Sequence, residues 1–262
     1  MRPGGNPNRT GRVAFRSRVA PRILIVGGLD PSGGAGLLAD CWAVEALGGR
    51  ALAVASALTA QGAERVHVRA CGPLFLKQQV QSLRERGPFH AVKLGMVPDR
   101  RSLSALGQVL RFLRIPWVID PVVRTSTGKP LSQLKAADFL RLAGPSRILT
   151  PNALEARWLV GSRKPIGTRE QAAAAAQHLY AEGFGAVIVK GGHLLEGPTD
   201  VLCWSGGLVF LRARKLARTP AHRGTGCRFA SALATELARG STVPQAAAVA
   251  KALVERFLRT PL

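Results

Sequence analysis

RILIVGGLDPSGGAGLLADCWAVEALGG (residues 22–49) is the stretch that decides the fold. RILIVG (22–27) is a short apolar run, rich in β-branched residues and closed by glycine, which predicts a buried strand. GLDPSGGAG (28–36) is a glycine loop, and LLADCWAVEALGG (37–49) reads as a helix stopped by paired glycines. The loop is not GxGxxG and is long for a dinucleotide turn. Strand, glycine loop and helix in that order open a β-α-β unit, so further strands should follow in parallel.

They do follow. ALAVASAL (51–58), AVKLGM (91–96), WVIDPV (117–122), RILT (147–150) and AVIVKGGH (186–193) read as strands. Helices are predicted over 74–86, 101–113, near 132–143, and over 153–161, 169–183, 228–240 and 244–258. DVLCW (200–204) and LVFLRA (208–213) straddle SGG as an antiparallel hairpin. The alternation predicts an α/β protein: a single three-layer α/β/α domain over residues 22–262 with a mainly parallel sheet. Internal repeats and domain-splitting linkers are not evident. Residues 1–21 carry five arginines (Arg2, Arg9, Arg12, Arg16, Arg18) among Gly, Pro and Asn, with no acid and no apolar run behind them. They read as a disordered basic tail rather than a secretory signal, and the Pro and Gly content disfavours a transit peptide.

The 262 residues carry 37 Lys and Arg against 15 Asp and Glu, a formal charge of +22. Such an excess suggests a polyanion, but the basic residues are spread along the chain and aromatics are only 5%, which leaves few stacking platforms for bases. Arg, Ala, Gly and Pro are all plentiful and all have GC-rich codons, so drift in base composition explains much of the charge. A nucleic-acid partner is not expected. No apolar run reaches membrane-spanning length. Cys41, Cys71, Cys203 and Cys227 show no CxxC pairing and no metal-like spacing with the histidines, so they read as reduced thiols of a cytoplasmic protein.

GTGC (224–227) opens the helix at 228–240. A glycine-rich turn entering a helix exposes backbone N–H groups at the positive end of the macrodipole, a ready anion site. Gly224, Thr225 and Gly226 form that turn. Cys227 sits in the first helical turn, where a thiol is expected to have a lowered pKa and to serve as a base or hydrogen-bond partner. Gln61, expected just past the second strand, is either a substrate contact or an amide capping loop backbone. Asp120 ends the WVID strand as a candidate metal acid. Glu155 falls in a first helical turn, where a carboxylate suits the dipole. Lys190 stands at the end of its strand.

In order along the chain, GLDPSGGAG with Asp40, SALTAQ (56–61), KLGM (93–96), IDPVV (119–123), LTPNALE (149–155), VKGGHL (189–194) with Asp200, and GTGC occur together over residues 22–258. So read, the chain resembles the hydroxymethylpyrimidine/phosphomethylpyrimidine kinases of thiamine biosynthesis, in the ribokinase-like superfamily. The resemblance implies transfer from ATP, with Mg²⁺, to 4-amino-5-hydroxymethyl-2-methylpyrimidine, with its monophosphate as a further acceptor. It implies a pyrimidine pocket of Gly28, Asp40, Gln61, Met96 and Val122. It places Lys190 on ATP phosphates and Asn152, Glu155 and Asp120 around Mg²⁺, largely through water. The GTGC backbone would form the anion hole, with Cys227 where most ribokinase relatives have an aspartate. A homo-oligomer, most simply a dimer, is also implied. Three departures stand out. The family's NTHGTGCT is here AHRGTGCR, which puts Arg223 and Arg228 beside GTGC, where they either bind phosphate oxygens or crowd the entrance. The family's AKSG is here RTSTG (124–128). Pyridoxal/pyridoxine kinase is the nearest alternative, and a catalytically weakened homologue that binds the pyrimidine or a polyanion is a second.

Overall fold

The computed structural model describes residues 19–62, 64–192, 194–213 and 223–259. Residues 1–18 of the predicted tail lie outside the described residues, as do residues 214–222, His193 and the last three residues. The boundary of the tail needs one correction. Pro21 is buried and its carbonyl accepts from the Arg50 amide at 2.8 Å, so the ordered chain begins before residue 22.

The founding unit forms as read. Strand β1 (Arg22–Leu29) is followed by helix α1 (Gly36–Ala46) and strand β2 (Arg50–Gln61), which pairs parallel to β1. Ile23, Leu24, Ile25 and Val26 are all fully buried, because a central parallel strand has a helix layer over each face. Each such side chain contributes about 1.5–3 kcal/mol of burial free energy. The chain continues with β3 (Val66–Ala70), α2 (Pro73–Arg84), β4 (Ala91–Leu94), α3 (Arg100–Leu110), β5 (Trp117–Ile119), α4 (Ala136–Leu140) and β6 (Arg147–Leu149). It ends with α5 (Ala153–Leu159), α6 (Arg169–Ala181), β7 (Ala186–Val189), β8 (Thr199–Trp204), β9 (Gly207–Arg212), α7 (Thr225–Ala238) and α8 (Val243–Arg259).

Among the described residues these strands make one sheet in the order β3-β2-β1-β4-β5-β6-β7-β8-β9. The six strands from β2 to β7 in that order are mutually parallel; β3 and β8 run antiparallel to them, and β9, antiparallel to β8, returns to their direction. Alternate β1 residues feed two cores. Ile23 and Ile25 pack with Phe229, Ala230, Leu233 and Ala247 from α7 and α8. Leu24 and Val26 pack with Leu76, Leu106, Phe139 and Leu179 under the opposite helices. The three-layer α/β/α reading holds.

Two elements differ from expectation. β2 does not stop near residue 58 but runs to Gln61, because its second half pairs antiparallel with β3, from Ala57 opposite Ala70 to Gln61 opposite Val66. β3 is largely exposed, and VHVRA alternates apolar and polar residues over only five positions, too short a run to stand out as a strand in sequence. The helix expected near 132–143 shrinks to the five residues of α4, whose first turn is held by Asp138 accepting from the Lys135 amide at 2.9 Å.

β1 is joined to β2 on one side and to β4 on the other, so the direction in which successive strands are added across the sheet reverses at that point, although the strands stay parallel. Open α/β sheets bind ligands in the crevice that this reversal leaves at the carboxyl ends of the strands.

Candidate active site

Three groups of side chains line this crevice. The first is an apolar floor. A Cβ at Gly28 would lie 3.3 Å from the Met96 sulfur and 3.5 Å from Thr59 Cγ2, so only glycine leaves the floor open there. Met96 clusters with Ala57 and Leu131, and Val66 and Val122 pack at its margin. Gly28, Met96 and Val122 are therefore brought together as expected. Gln61 overhangs this floor from the β2–β3 ribbon, its Nε2 donating to Thr59 Oγ1 at 3.1 Å and its Oε1 accepting from Arg223.

The second group lies beneath. Asp40 is fully buried in α1, where Lys93 Nζ meets its Oδ2 at 2.7 Å and Ser231 Oγ donates to its Oδ1 at 2.7 Å. This corrects the expectation that Asp40 reads the substrate: both carboxylate oxygens are engaged inside the protein, so its part is to position α1, β4 and α7 against one another. Burial alone would lower the Lys93 pKa, but Asp40, with smaller help from Cys227 and Asp120, reverses this and holds the ammonium charged. Gly95 makes room for it, since a Cβ there would fall 2.6 Å from Nζ. Lys93 was missed as a functional residue in the sequence; the signal was a lysine inside the otherwise apolar AVKL strand, which burial tolerates only with a partner.

The third group surrounds the first turn of α7. Gly224 caps it in the left-handed region at φ +73°, where a Cβ would strike the Gly34 carbonyl oxygen at 2.3 Å. The loop after β1 is thereby packed on the helix entry. Lys190 Nζ pairs with Asp120 Oδ1 at 2.6 Å and lies 3.0 Å from where a Gly226 Cβ would be. Desolvation lowers the Lys190 pKa, yet Asp120 and Glu155 together raise it above the ordinary lysine value, so the site holds a fixed positive charge. Asn152 and Glu155 form a capping box on α5: Asn152 Oδ1 accepts from the Glu155 amide at 2.9 Å, and Glu155 Oε2 from the Asn152 amide at 2.8 Å. Burial pushes the Glu155 carboxyl up to about 7 against the attraction of Lys190.

Cys227 requires a correction. Its thiol is pushed up to about 11, because burial outweighs the attraction of Lys93 even though the residue keeps some surface on the crevice. The helix N-terminus does not supply a thiolate; at neutral pH Cys227 is a neutral hydrogen-bonding group.

The flanking arginines take separate paths. Arg228 is buried, its guanidinium 3.8 Å from the Phe257 ring centroid, and Nη1 donates to Gly34 O and Arg223 O at 3.1 Å each. It fastens the two loops and does not face the phosphate site. Arg223 Nη2 instead reaches across the crevice to Asp30 Oδ2 at 3.2 Å and to Gln61 Oε1. A hollow of about 620 Å³ bordered by Leu103, Gln108, Asp138 and Arg141 is lined by none of these residues.

The crevice thus sets a charged lysine at a glycine-rich helix entry, carboxylates beside it and an apolar floor opposite, on a ribokinase-like fold. A phosphomethylpyrimidine kinase profile matches residues 30–262. A hydroxymethylpyrimidine/phosphomethylpyrimidine kinase of Streptomyces coelicolor is 35% identical, over 89% of this chain and 87% of its own. The crystal structure of a phosphomethylpyrimidine kinase from Clostridium difficile superposes with a TM-score of 0.77 at 26% identity, covering 92% of this chain and 100% of that one. A pyridoxal kinase from Staphylococcus aureus in complex with AMP-PCP shares the fold, with a TM-score of 0.82 at 24% identity over 92% of this chain and 89% of its own. The chain belongs to the phosphomethylpyrimidine kinase family. It also spans 45–49% of the length of plant and bacterial bifunctional thiamine-biosynthesis proteins that it matches at 34–35% identity. Among the described residues no helix is long and apolar enough to cross a membrane.

Proposed function

We propose that this chain transfers the γ-phosphoryl group of ATP to the hydroxymethyl oxygen of 4-amino-5-hydroxymethyl-2-methylpyrimidine, and to a phosphate oxygen of its monophosphate. The observation that carries the reading is Lys190 standing 3.0 Å from the Cβ position of Gly226, in the first turn of α7, with the pocket of Gly28, Met96 and Val122 in the same crevice. In the transfer, the acceptor oxygen bonds to the γ-phosphorus as the bond to the β,γ-bridging oxygen breaks. The alcohol's proton leaves to water, and ADP departs. Backbone N–H groups of Thr225, Gly226 and Cys227 and the Lys190 ammonium stabilise the charge on the passing phosphoryl group. Cys227 enters as a neutral group. Pocket side chains hold the ring and exclude water.

Asp120 Oδ2 is buried and has no hydrogen-bond partner among the described residues, which suits a cation on that side. Asp120, with Asn152 and Glu155 near it, would hold Mg²⁺ through water, as this ion prefers. Bound there, Mg²⁺ would neutralise charge on the nucleotide phosphates. The four free cysteines support a cytoplasmic setting.

Incubation with ATP, Mg²⁺ and the pyrimidine alcohol should yield its phosphate ester, seen by mass spectrometry. Turnover of pyridoxal with no turnover of either pyrimidine would replace this reading by its rival; turnover of none would favour the weakened binding homologue.

Glu155 gives a test in the absence of metal and nucleotide. Its folded pKa, about 7, lies above the ordinary 4.5, so the stability it contributes is full below pH 4.5 and is lost as pH rises through 7. Melting temperature should decline from pH 5 to pH 7 in the wild type, and Glu155→Gln should flatten that part of the profile. Parallel profiles for the two proteins would show that Glu155 titrates normally.

A further inference from the structure

Resting on the kinase reading, we infer that Arg223 selects the acceptor: it disfavours the neutral pyrimidine alcohol and favours the phosphorylated pyrimidine. Arg223 directly precedes Gly224, so its backbone belongs to the anion-binding entry of α7, while its side chain extends to the other end of the pocket. There Nη2 donates to Gln61 Oε1 and to Asp30 Oδ2 at 3.2 Å. With Nε2 donating to Thr59 Oγ1, both ends of the Gln61 amide are occupied inside the protein. Thr59 Oγ1 in turn donates to Leu29 O at 3.0 Å, so that side of the network is anchored to β1. The group best placed to read a pyrimidine ring is thus closed by an arginine.

An incoming ring must take Gln61 from Arg223. A neutral alcohol offers the displaced guanidinium nothing comparable in return. A phosphate on the ring's methylene arm does, because the reacting end of the substrate points to the α7 entry from which Arg223 springs. A phosphate accepts two parallel N–H bonds from a guanidinium and carries more charge than the Asp30 carboxylate it would displace. Asp30 can lose the contact, since its Oδ1 keeps Ser32 Oγ at 2.8 Å and the Ser32 amide at 3.1 Å. The other arginine keeps the arrangement in place: Arg228 holds Arg223 O, so the backbone stays while the side chain is free to turn. The 37% exposure of Arg223 leaves its side chain room to turn once Gln61 and Asp30 release it.

The test compares kcat/KM for the alcohol and its monophosphate in wild type, Arg223→Met and Arg223→Lys, with binding of each acceptor measured by calorimetry without nucleotide. The wild type should prefer the monophosphate by about 10-fold or more, in both kcat/KM and Kd, the range of a charge-assisted hydrogen-bonded pair. Arg223→Met should weaken the monophosphate by about 10- to 100-fold while the alcohol binds as tightly or more tightly. Arg223→Lys should fall between the two, since it keeps charge but not the fork. A wild type that prefers the alcohol, or a variant that loses both acceptors in equal measure, overturns the role of Arg223 and leaves the kinase reading standing. Failure of the wild type to bind or convert either pyrimidine overturns the kinase reading itself, and this inference with it.

Discussion

Replacing Lys93 by methionine is expected to destabilise the fold by about 3–5 kcal/mol, the usual cost of leaving one charge of a buried pair without its partner. The ammonium and the Asp40 carboxylate are 2.7 Å apart, with side chains 1% and 0% exposed. Methionine fills most of the lysine's volume, so little of the loss would come from a cavity. It would come from Asp40, which keeps Ser231 as a donor but loses its countercharge. Urea unfolding would show the loss as a lower midpoint with an unchanged slope. A second substitution separates pairing from packing. Lys93→Met combined with Asp40→Leu should recover much of the stability, because an apolar pair of similar size often matches a buried ion pair. A single variant as stable as wild type would mean that Asp40 takes up a proton at no cost, and that the pair is not what ties α1 to β4.

The layers of this fold were legible because parallel strands buried on both faces appear as unbroken apolar runs, such as RILIVG and AVIV, separated by glycine stops. β3 was not, since VHVRA alternates over only five positions and stays largely exposed beside β2, without the buried apolar run that marks the central strands. Much of the site was legible for a related reason: residues after parallel strands all open on one edge, so Gly28, Met96, Val122 and Lys190 meet there although they are far apart in sequence. Pairings were not legible. Asp40 and Lys93 are 53 residues apart, and Arg223 and Gln61 162 apart. Neither link follows from local pattern, and each bears on a role: Asp40 is paired in the interior, and the Arg223 side chain lies on Asp30 and Gln61 across the crevice. The chemistry of Cys227 failed to read through for yet another reason. Helix position favours the thiolate, but desolvation is the larger effect, and desolvation is set by the layers around the helix rather than by its own four residues.

The two arginines written beside GTGC are alike in sequence and opposite in use. Arg228 points along α7 into a cage with Trp42 and Phe257 and serves the loop geometry. Arg223 points across the crevice. A basic pair flanking a phosphate site therefore does not amount to two phosphate ligands. Burial decides: a guanidinium on aromatic rings with its Nη1 on two backbone carbonyls has little reach left for a ligand.

Lys190→Met is expected to lower kcat by about 10²–10³-fold, the loss typical of one preorganised donor at a developing charge. The residue stands where two demands meet. Its Nζ neutralises Asp120 at 2.6 Å, and it lies against the first turn of α7, where the N–H groups of Thr225, Gly226 and Cys227 open. Backbone donors supply partial charges, and the ammonium adds a full one whose protonation the neighbouring carboxylates secure. Pyrimidine affinity should change by less than about 3-fold, well under the 1.4 kcal/mol that a tenfold change represents, because Gly28, Met96 and Val122 do not touch this lysine. Lys190→Arg should recover little. The space at Gly226 admits an ammonium 3.0 Å from the Cβ position, whereas a planar fork would have to displace the helix entry or leave Asp120. Removal of Lys190 also leaves Asp120 buried without a countercharge, so part of the loss could come from a disturbed site. The melting temperature separates the two causes: Lys190→Met combined with Asp120→Asn should regain the stability lost to the unpaired carboxylate, while a single Lys190→Met variant whose kcat stays within about 10-fold of wild type would show that the positive charge at the α7 entry is not what moves the phosphoryl group.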